Sequence, residues 1–439
     1  MNMKLNERDC ELQQLQEIQE AAAKKATITV ITGGRRTGRT QLALKATAGR
    51  PTLYFYIARK AEAILCNEFS AQAAKLLAPL PFPTELGDFR SLFKALMATS
   101  KEKSFNLFIH EFQEFANVNQ GIVSDLQSTW SRNRDRSRLC LFLLGTDNAA
   151  ASRIFEGDHA PLHGLVDHHI KLRPYSIPTL KKVLKKASPA YTPDDLLTFY
   201  ALTGGIPKYV QAFTAAKAVT PKAAINLICS EDSPFLTEGK QLLIEDFGKE
   251  YTIYFSILTC IACGINSRSY IEEYIQKEIG GYLTRLETDF RIIRKQTPLF
   301  SKSGSKNVRY AITSNFLRFW FRFLYTNANL IETGQFRLLR KTVLSELREQ
   351  TTHALHIYHH QKLEESGQFT CIGGWWDHHG DNDIDIIALN EETKQAMLAD
   401  VRRRRTISDL NNLVRKAAGL HEMLQGYEIE YRILSTDDL

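Results

Sequence analysis

One glycine-rich segment of the chain has the composition of a phosphate-binding loop. The β-branched run 26–32 (ATITVIT) predicts a buried strand and leads into residues 33–40 (GGRRTGRT), which a helical pattern follows. The spacing matches G-x-x-x-x-G-K-[ST], in which backbone N–H groups surround a phosphate at a helix N-terminus. Arg39 stands in the lysine position, and Thr40 supplies a hydroxyl for Mg²⁺. The alternative interpretation is an ordinary glycine-rich turn.

A second run of residues could complete the chemistry. Phosphoryl transfer needs acids at the end of a neighbouring strand, one to hold Mg²⁺ and one to orient water. The run 106–115 (NLFIHEFQEF) offers Glu111 as a candidate base, but His110 takes the place of the first acid. A neutral imidazole is a poor ligand for Mg²⁺, which prefers oxygen. The sequence therefore predicts a weakened magnesium site, and a strand-end histidine without a role is an equally open interpretation.

The elements that would position these residues form an alternating pattern. Strands are predicted at 26–32, 52–57, 106–110 and 139–144, with helical stretches over 1–25, over 40–47 and between the later strands. Short apolar strands that alternate with helices are typical of a parallel sheet covered on both faces. The predicted fold class is therefore α/β, and the first domain is assigned to residues 1–175.

The remainder of the chain divides into three predicted parts. Residues 176–245 read as helical, with a GGIP turn at 204–207, and are assigned as a helical lid. Residues 246–335 predict helices closed by a β-hairpin, which is a winged-helix shape. Strand signals return at 369–372, 384–389, 395–401 and 428–434, so residues 336–439 are predicted to form a small α/β domain.

Composition excludes several classes of protein. The chain has 439 residues, 44% of them hydrophobic and 24% charged, which is ordinary for a folded protein and wrong for a disordered one. We expect no secretory signal and no membrane span, because no apolar run approaches the roughly 20 residues needed. Seven scattered cysteines favour a reducing cytoplasm over a disulfide scaffold. The net charge of +7 permits a nucleic-acid partner.

The ordered motifs resemble a known family. Residues 33–40, the run IHEFQ at 109–113 and the run GGIPKY at 204–209 are similar to motifs of archaeal-type P-loop ATPases of the AAA+/STAND class. The resemblance implies a P-loop NTPase sheet, ATP and Mg²⁺ as cofactors, and a sensor-like role for Thr146. Leu165 stands where the family has a candidate arginine finger. The resemblance implies nucleotide contacts from Gly33, Gly34, Arg35, Arg36, Thr37, Gly38, Arg39, Thr40 and Gln41.

The same family often carries a winged helix and a restriction-endonuclease-like domain. In nucleases of the PD-(D/E)xK type, two acids and a lysine meet at strand ends to bind a metal and activate water. Asp385 and Asp400 would be the acids and metal ligands, Glu349 a further ligand, and Arg402 stands at the lysine position. Arginine does not deprotonate in proteins, so the resemblance implies a degenerate site.

Three functional hypotheses follow. The first is an ATP-binding switch with weak or absent hydrolysis, whose lid responds to nucleotide and whose partner is double-stranded DNA or a protein. The second is a non-enzymatic DNA-binding protein or scaffold with decayed sites. The third is a residual magnesium-dependent nuclease that uses Asp385 and Asp400.

Overall fold

A computed structural model describes residues 7–156, 160–302, 304–377 and 382–439. The chain divides into two compact units, Met1–Pro174 and Tyr175–Leu439. The first unit contains α1 (Asp9–Ala22), β1 (Thr27–Gly33), α2 (Arg39–Ala46), β2 (Thr52–Tyr56), α3 (Glu62–Leu77), α4 (Phe89–Thr99), β3 (Phe105–His110), α5 (Phe115–Val118), α6 (Ile122–Asn133), β4 (Leu139–Thr146), α7 (Ala149–Phe155) and β5 (His168–Leu172).

The first unit is built around a parallel sheet. Within its described residues the sheet has five strands in the order β2-β3-β4-β1-β5. β1 is buried along its whole length because it lies between β4 and β5 and has helices on both faces. Alternate residues of β1 serve opposite cores: Ile28 and Val30 pack on one face, and Ile31 packs on the other with Leu42 of α2. The predicted α/β fold with a parallel sheet is confirmed.

β5 is the strand that the sequence analysis missed. Its residues alternate between buried and accessible positions, with Ile170 and Leu172 directed to the core and charged or polar residues between them. It lies at the edge of the sheet and pairs with β1 alone. An edge strand needs only half of its side chains to be apolar, so it lacks the continuous hydrophobic run by which the other four were found.

The second unit begins with helices and ends with a sheet. It contains α8 (Ile177–Ala187), α9 (Pro193–Thr203), α10 (Pro207–Ala215), α11 (Pro221–Ile228), α12 (Phe235–Phe247), α13 (Tyr251–Ala262), α14 (Arg268–Ile275), α15 (Gly280–Thr288), β6 (Ile293–Gln296), β7 (Arg309–Ile312), α16 (Asn315–Phe319), α17 (Ala328–Glu332), α18 (Phe336–Ser366), β8 (Cys371–Trp376), β9 (Asp383–Asn390), β10 (Gln395–Val401), α19 (Ile407–Ala417) and β11 (Glu428–Leu434). β6 and β7 form an antiparallel pair.

The C-terminal sheet is mixed and separate from the first. Its strands lie in the order β11-β10-β9-β8, with β10 antiparallel to β9 and parallel to β11. One core cluster joins the sheet to Leu413 and Ala417 of α19, and another joins it to Leu355 of α18. No helix in the described part of the chain is both long and apolar enough to cross a bilayer.

Candidate functional site

The loop between β1 and α2 has the backbone of a phosphate-binding turn. Gly38 precedes α2 with φ +90°, a conformation that residues with a Cβ rarely adopt. A Cβ on Gly33 would lie 2.6 Å from the carbonyl oxygen of Leu172, so only glycine allows β5 to approach at this point. The Thr37 hydroxyl donates to the carbonyl oxygen of Gly34 at 2.8 Å and closes the turn. The N-terminus of α2 therefore lies behind a loop whose glycines place no side chains over its backbone N–H groups.

The ends of three parallel strands bring the predicted residues together. Gly33 at the end of β1 is in register with Thr146 at the end of β4, and β3 ends beside them at His110. Glu111 follows β3 with φ +55° and ψ +47°, a left-handed conformation that is uncommon for a residue with a side chain. The carboxyl edge of the sheet thus brings together the glycine loop, the candidate base Glu111 and Thr146.

Arg39 is the central side chain of this edge. Only 7% of it is exposed. Its Nη2 donates to Glu111 Oε1 at 3.4 Å and to Thr146 Oγ1 at 3.1 Å, and the Thr146 hydroxyl in turn donates to Glu111 Oε2 at 3.0 Å. Gln113 Nε2 also donates to Glu111 Oε2. The candidate base is therefore bound by the residue that stands in the lysine position.

Burial sets the charge states at this edge. Burial lowers the pKa of the Arg39 guanidinium, although the Glu111 charge opposes that effect. Burial also acts to raise the pKa of Glu111, but Arg39, followed by His110 and the hydrogen bonds, leaves that pKa lowered. The pKa of His110 is lowered mainly by burial. At neutral pH the edge therefore holds a charged Arg39–Glu111 pair beside a neutral imidazole.

The residues present do not fit a tightly held magnesium ion. The Thr40 hydroxyl, the expected ligand, lies 3.1 Å from His110 Nε2 and accepts from the Tyr54 hydroxyl at 3.4 Å. Mg²⁺ prefers oxygen ligands in an octahedral arrangement, and His110 offers nitrogen where a carboxylate would be needed. Within the described residues, no group of three or more His, Cys, Asp and Glu side chains is placed to hold a metal. Tyr54 is a site residue that the motif search missed, because it belongs to β2 and to no motif.

The residues present do fit a phosphate. The second guanidinium nitrogen of Arg39, Nη1, is buried and has no hydrogen-bond partner among the described residues. A buried donor without an acceptor costs free energy, and an anion in the loop would supply that acceptor. The loop amides at the start of α2 would provide further donors.

A second predicted site lies on β9 and β10. Asp385 and Asp400 stand near one another on these adjacent strands, and Asp400 Oδ1 accepts from the Asp385 backbone N–H at 3.4 Å. The Arg402 guanidinium spans the pair, with Nη1 3.2 Å from Asp385 Oδ2 and Nη2 2.9 Å from Asp400 Oδ2. Lys416 Nζ lies 3.3 Å from Asp400 Oδ2 and 3.3 Å from Asp383 Oδ1. Two cations therefore stand where a divalent metal would be bound.

The carboxylates of this second site are unequal. Asp400 is 2% exposed, and burial, followed by the Asp385 charge, raises its pKa against the opposing effect of the two cations. Glu349 instead forms a two-point pair with Arg322, at 2.6 and 2.5 Å. The structure thus brings Asp385, Asp400 and Arg402 together, and Glu349 is engaged elsewhere. Lys416 was missed because it comes from α19, outside the strand motif.

Comparisons with known proteins support the fold. The DUF234 model, which describes archaeal and bacterial proteins of unknown function, matches residues 320–412. An uncharacterized protein of Methanocaldococcus jannaschii is 28% identical over 382 residues, which cover 85% of this chain and 82% of that protein. The Walker-type ATPase of Pyrococcus abyssi has a TM-score of 0.51 at 17% identity and covers 73% of this chain and 99% of its own. The Aeropyrum pernix ORC2 protein has a TM-score of 0.49 at 12% identity, with coverage of 75% and 95%. The parallel sheet, its glycine loop and the Pyrococcus match together show the fold of a P-loop NTPase.

Proposed function

We propose that the N-terminal unit binds ATP at residues 33–41 and hydrolyses it weakly or not at all, so that the bound nucleotide acts as a switch. The observation that carries this proposal is Arg39, a buried cation with one nitrogen bound to Glu111 and Thr146 and the other without a partner. A phosphate in the loop would satisfy the free nitrogen and add a second negative charge beside the guanidinium.

The same contacts explain why hydrolysis is expected to be slow. A catalytic base must be free to accept a proton from water, and Glu111 accepts instead from Arg39, Thr146 and Gln113. Its lowered pKa makes it a weaker base still. Mg²⁺, when bound with nucleotide, supplies charge neutralisation at the phosphates, and here His110 offers it no carboxylate.

We extend the proposal to three parts of the C-terminal unit. Residues 176–245 would be the nucleotide-responsive lid. Three helices followed by an antiparallel pair support a winged helix at 246–335. The order helix, three strands, helix and strand supports a nuclease-like fold at 336–439. Arg402 and Lys416 neutralise its acid pair, which favours a fold kept without metal-dependent cleavage over a residual nuclease.

Calorimetry with ATP tests the proposal, with and without Mg²⁺. The decisive variant is Gly34→Glu, because a Cβ there meets Thr37 Cγ2 at 3.7 Å, an ordinary contact that preserves the fold, while the new carboxylate repels phosphate. The control is Gly87→Glu, since nothing lies within 4 Å of a Cβ at that position. We expect binding in the wild type and in Gly87→Glu, and loss of binding in Gly34→Glu.

Two results would contradict the proposal. The first is a folded wild-type protein that shows neither heat nor a thermal shift at millimolar ATP, which would leave the scaffold hypothesis. The second is equal affinity in the two glutamate variants, which would place the nucleotide outside the loop.

A further inference from the structure

A cleft in the C-terminal unit is lined by three cations that form no ion pair among the described residues. The cleft has a volume of about 620 Å³ and lies between the β6–β7 pair, α16, α18 and the face of β8 and β9. Arg294 and Lys295 of β6 line it, and neither makes an ion pair or a side-chain hydrogen bond within the described part of the chain. Arg318 of α16 lines it as well, and among the described residues its side chain donates to the neutral amide of Gln350 alone.

The carboxylates that line the same cleft are already paired. Asp385 is bound by Arg402 at 3.2 Å, Asp383 by Lys416 at 3.3 Å, and Glu349 by Arg322 at 2.5 Å. No ion pair among the described residues holds Arg294, Lys295 or Arg318. The charges of Glu349 and Glu364 act on Arg318 and Arg294 only from beyond ion-pair distance. Burial, followed by the neighbouring charge of Arg322, lowers the pKa of Arg318 to about 10 against the opposing charge of Glu349.

Other lining groups could contact a nucleotide unit. Arg309 of β7 lies over the Trp376 ring, 4.5 Å from its centroid, so its guanidinium plane is held in place. A guanidinium plane fixed in this way can stack on a base. His353 lines the cleft from α18, and its Nε2 is buried without a hydrogen-bond partner among the described residues.

We propose that this cleft binds the phosphate backbone of a single-stranded nucleic acid. The free cations come from two elements, β6 and α16, and Arg309 adds a third, so they can contact successive phosphates. A cleft of this volume is of the size that encloses small ligands, and it admits a flexible strand more readily than a rigid duplex. The site lies wholly within residues 175–439 and does not depend on the proposed nucleotide loop.

Fluorescence anisotropy with a labelled 20-nucleotide single strand, and with the matching duplex, tests the proposal on the full chain. The variant Arg294→Gln/Lys295→Gln removes two cleft cations. The control Lys182→Gln/Lys185→Gln removes two exposed cations from α8, so both variants have the same net charge. Circular dichroism and thermal unfolding confirm that each variant is folded.

The expected magnitude follows from counterion release. For a single strand each phosphate contact changes the slope of log K against log salt by about 0.7, so two lost contacts weaken binding by about 25-fold at 0.1 M salt. We expect the wild type to bind the single strand more tightly than the duplex. The affinity of the cleft variant for the single strand should fall about 25-fold, with a shallower dependence on salt, and the affinity of the control should remain near that of the wild type.

Three outcomes would overturn the inference. They are duplex binding as tight as single-strand binding, equal affinities in the cleft and control variants, and loss of ATP binding in the cleft variant while Gly34→Glu retains it. The last outcome would make the cleft a nucleotide pocket and would refute the proposed function too. Single-strand binding that persists in Gly34→Glu, together with loss of ATP binding there, supports both proposals independently.

Discussion

Glu111→Gln tests whether Arg39 is shared between the protein and a bound nucleotide. The substitution keeps the size of the side chain, replaces one acceptor oxygen by an NH₂ donor, and removes the negative charge 3.4 Å from Arg39 Nη2. In the wild type, a phosphate bound to Arg39 Nη1 would lie beside this carboxylate and be repelled by its charge. In the variant that repulsion is absent, so we expect ATP to bind more tightly.

The geometry sets the size of the effect. A hydrogen bond between charged groups contributes about 1.5–3 kcal/mol net, and about 2 kcal/mol corresponds to roughly 30-fold in affinity. Without nucleotide the variant leaves the buried guanidinium without its strongest counter-charge, which should reduce the free energy of unfolding by about 3 kcal/mol. Saturating ATP should restore much of that loss, because its phosphates replace the missing charge.

Calorimetric Kd values and thermal unfolding with and without ATP measure both effects. The control is Glu114→Gln, which removes an equivalent charge from the exposed pair with Arg59 at 3.3 Å and should change each quantity little. A folded Glu111→Gln protein whose Kd for ATP is unchanged or weaker would refute the reasoning, since Arg39 would then contribute nothing to phosphate binding.

Three further predictions concern individual residues. Arg39→Lys combined with His110→Asp should raise the rate of Mg²⁺-dependent ATP hydrolysis ~10-fold or more, because the two changes provide a compact cation and an oxygen ligand. The rate is measured as phosphate release. An unchanged rate would mean that these two residues are not what limits hydrolysis. Burial lowers the pKa of His359 to about 4 from its ordinary value of 6.5. As the pH falls from 6.5 towards 4, the unfolded chain therefore binds a proton at this residue and the folded chain does not. Because of this group, the free energy of unfolding measured with denaturant should fall by about 2 kcal/mol between pH 7.5 and pH 5. The fall should be smaller in the His359→Gln variant. Lys416→Met should destabilise the protein by about 1.5 kcal/mol, since it removes one of the two cations that contact the buried Asp400. Arg415→Met on the same helix should cost under about 0.5 kcal/mol, and equal melting temperatures for the two variants would refute this prediction.

The two candidate sites share one physical feature. In each, an arginine that stands where the resemblance predicts a lysine contacts a neighbouring acid, as Arg39 contacts Glu111 and Arg402 contacts Asp385 and Asp400. Guanidinium has several donors in a planar fork and does not deprotonate, so an arginine stays charged beside a neighbouring carboxylate and can bridge two groups, as Arg402 bridges Asp385 and Asp400. The sequence shows the arginines that depart from the motifs, but only the structure shows which carboxylates these arginines contact.

Local pattern determined much of this protein. Continuous apolar runs such as 26–32 identified four strands of the parallel sheet, and the glycine spacing at 33–40 placed the phosphate-binding turn between a strand and a helix. These features are local because strand burial and turn conformation depend on adjacent residues.

Tertiary structure alone decided which side chains meet. Tyr54 reaches Thr40 from β2, and Lys416 reaches Asp400 from α19, although neither belongs to a motif. The unpaired cations of the cleft lie within residues 294–318, but the carboxylates that line it come from α18 and β9, further along the chain. Whether a charge is paired or free depends on distances between elements that pack only in the folded state, and so the charge balance of each site is a property of the fold rather than of any segment.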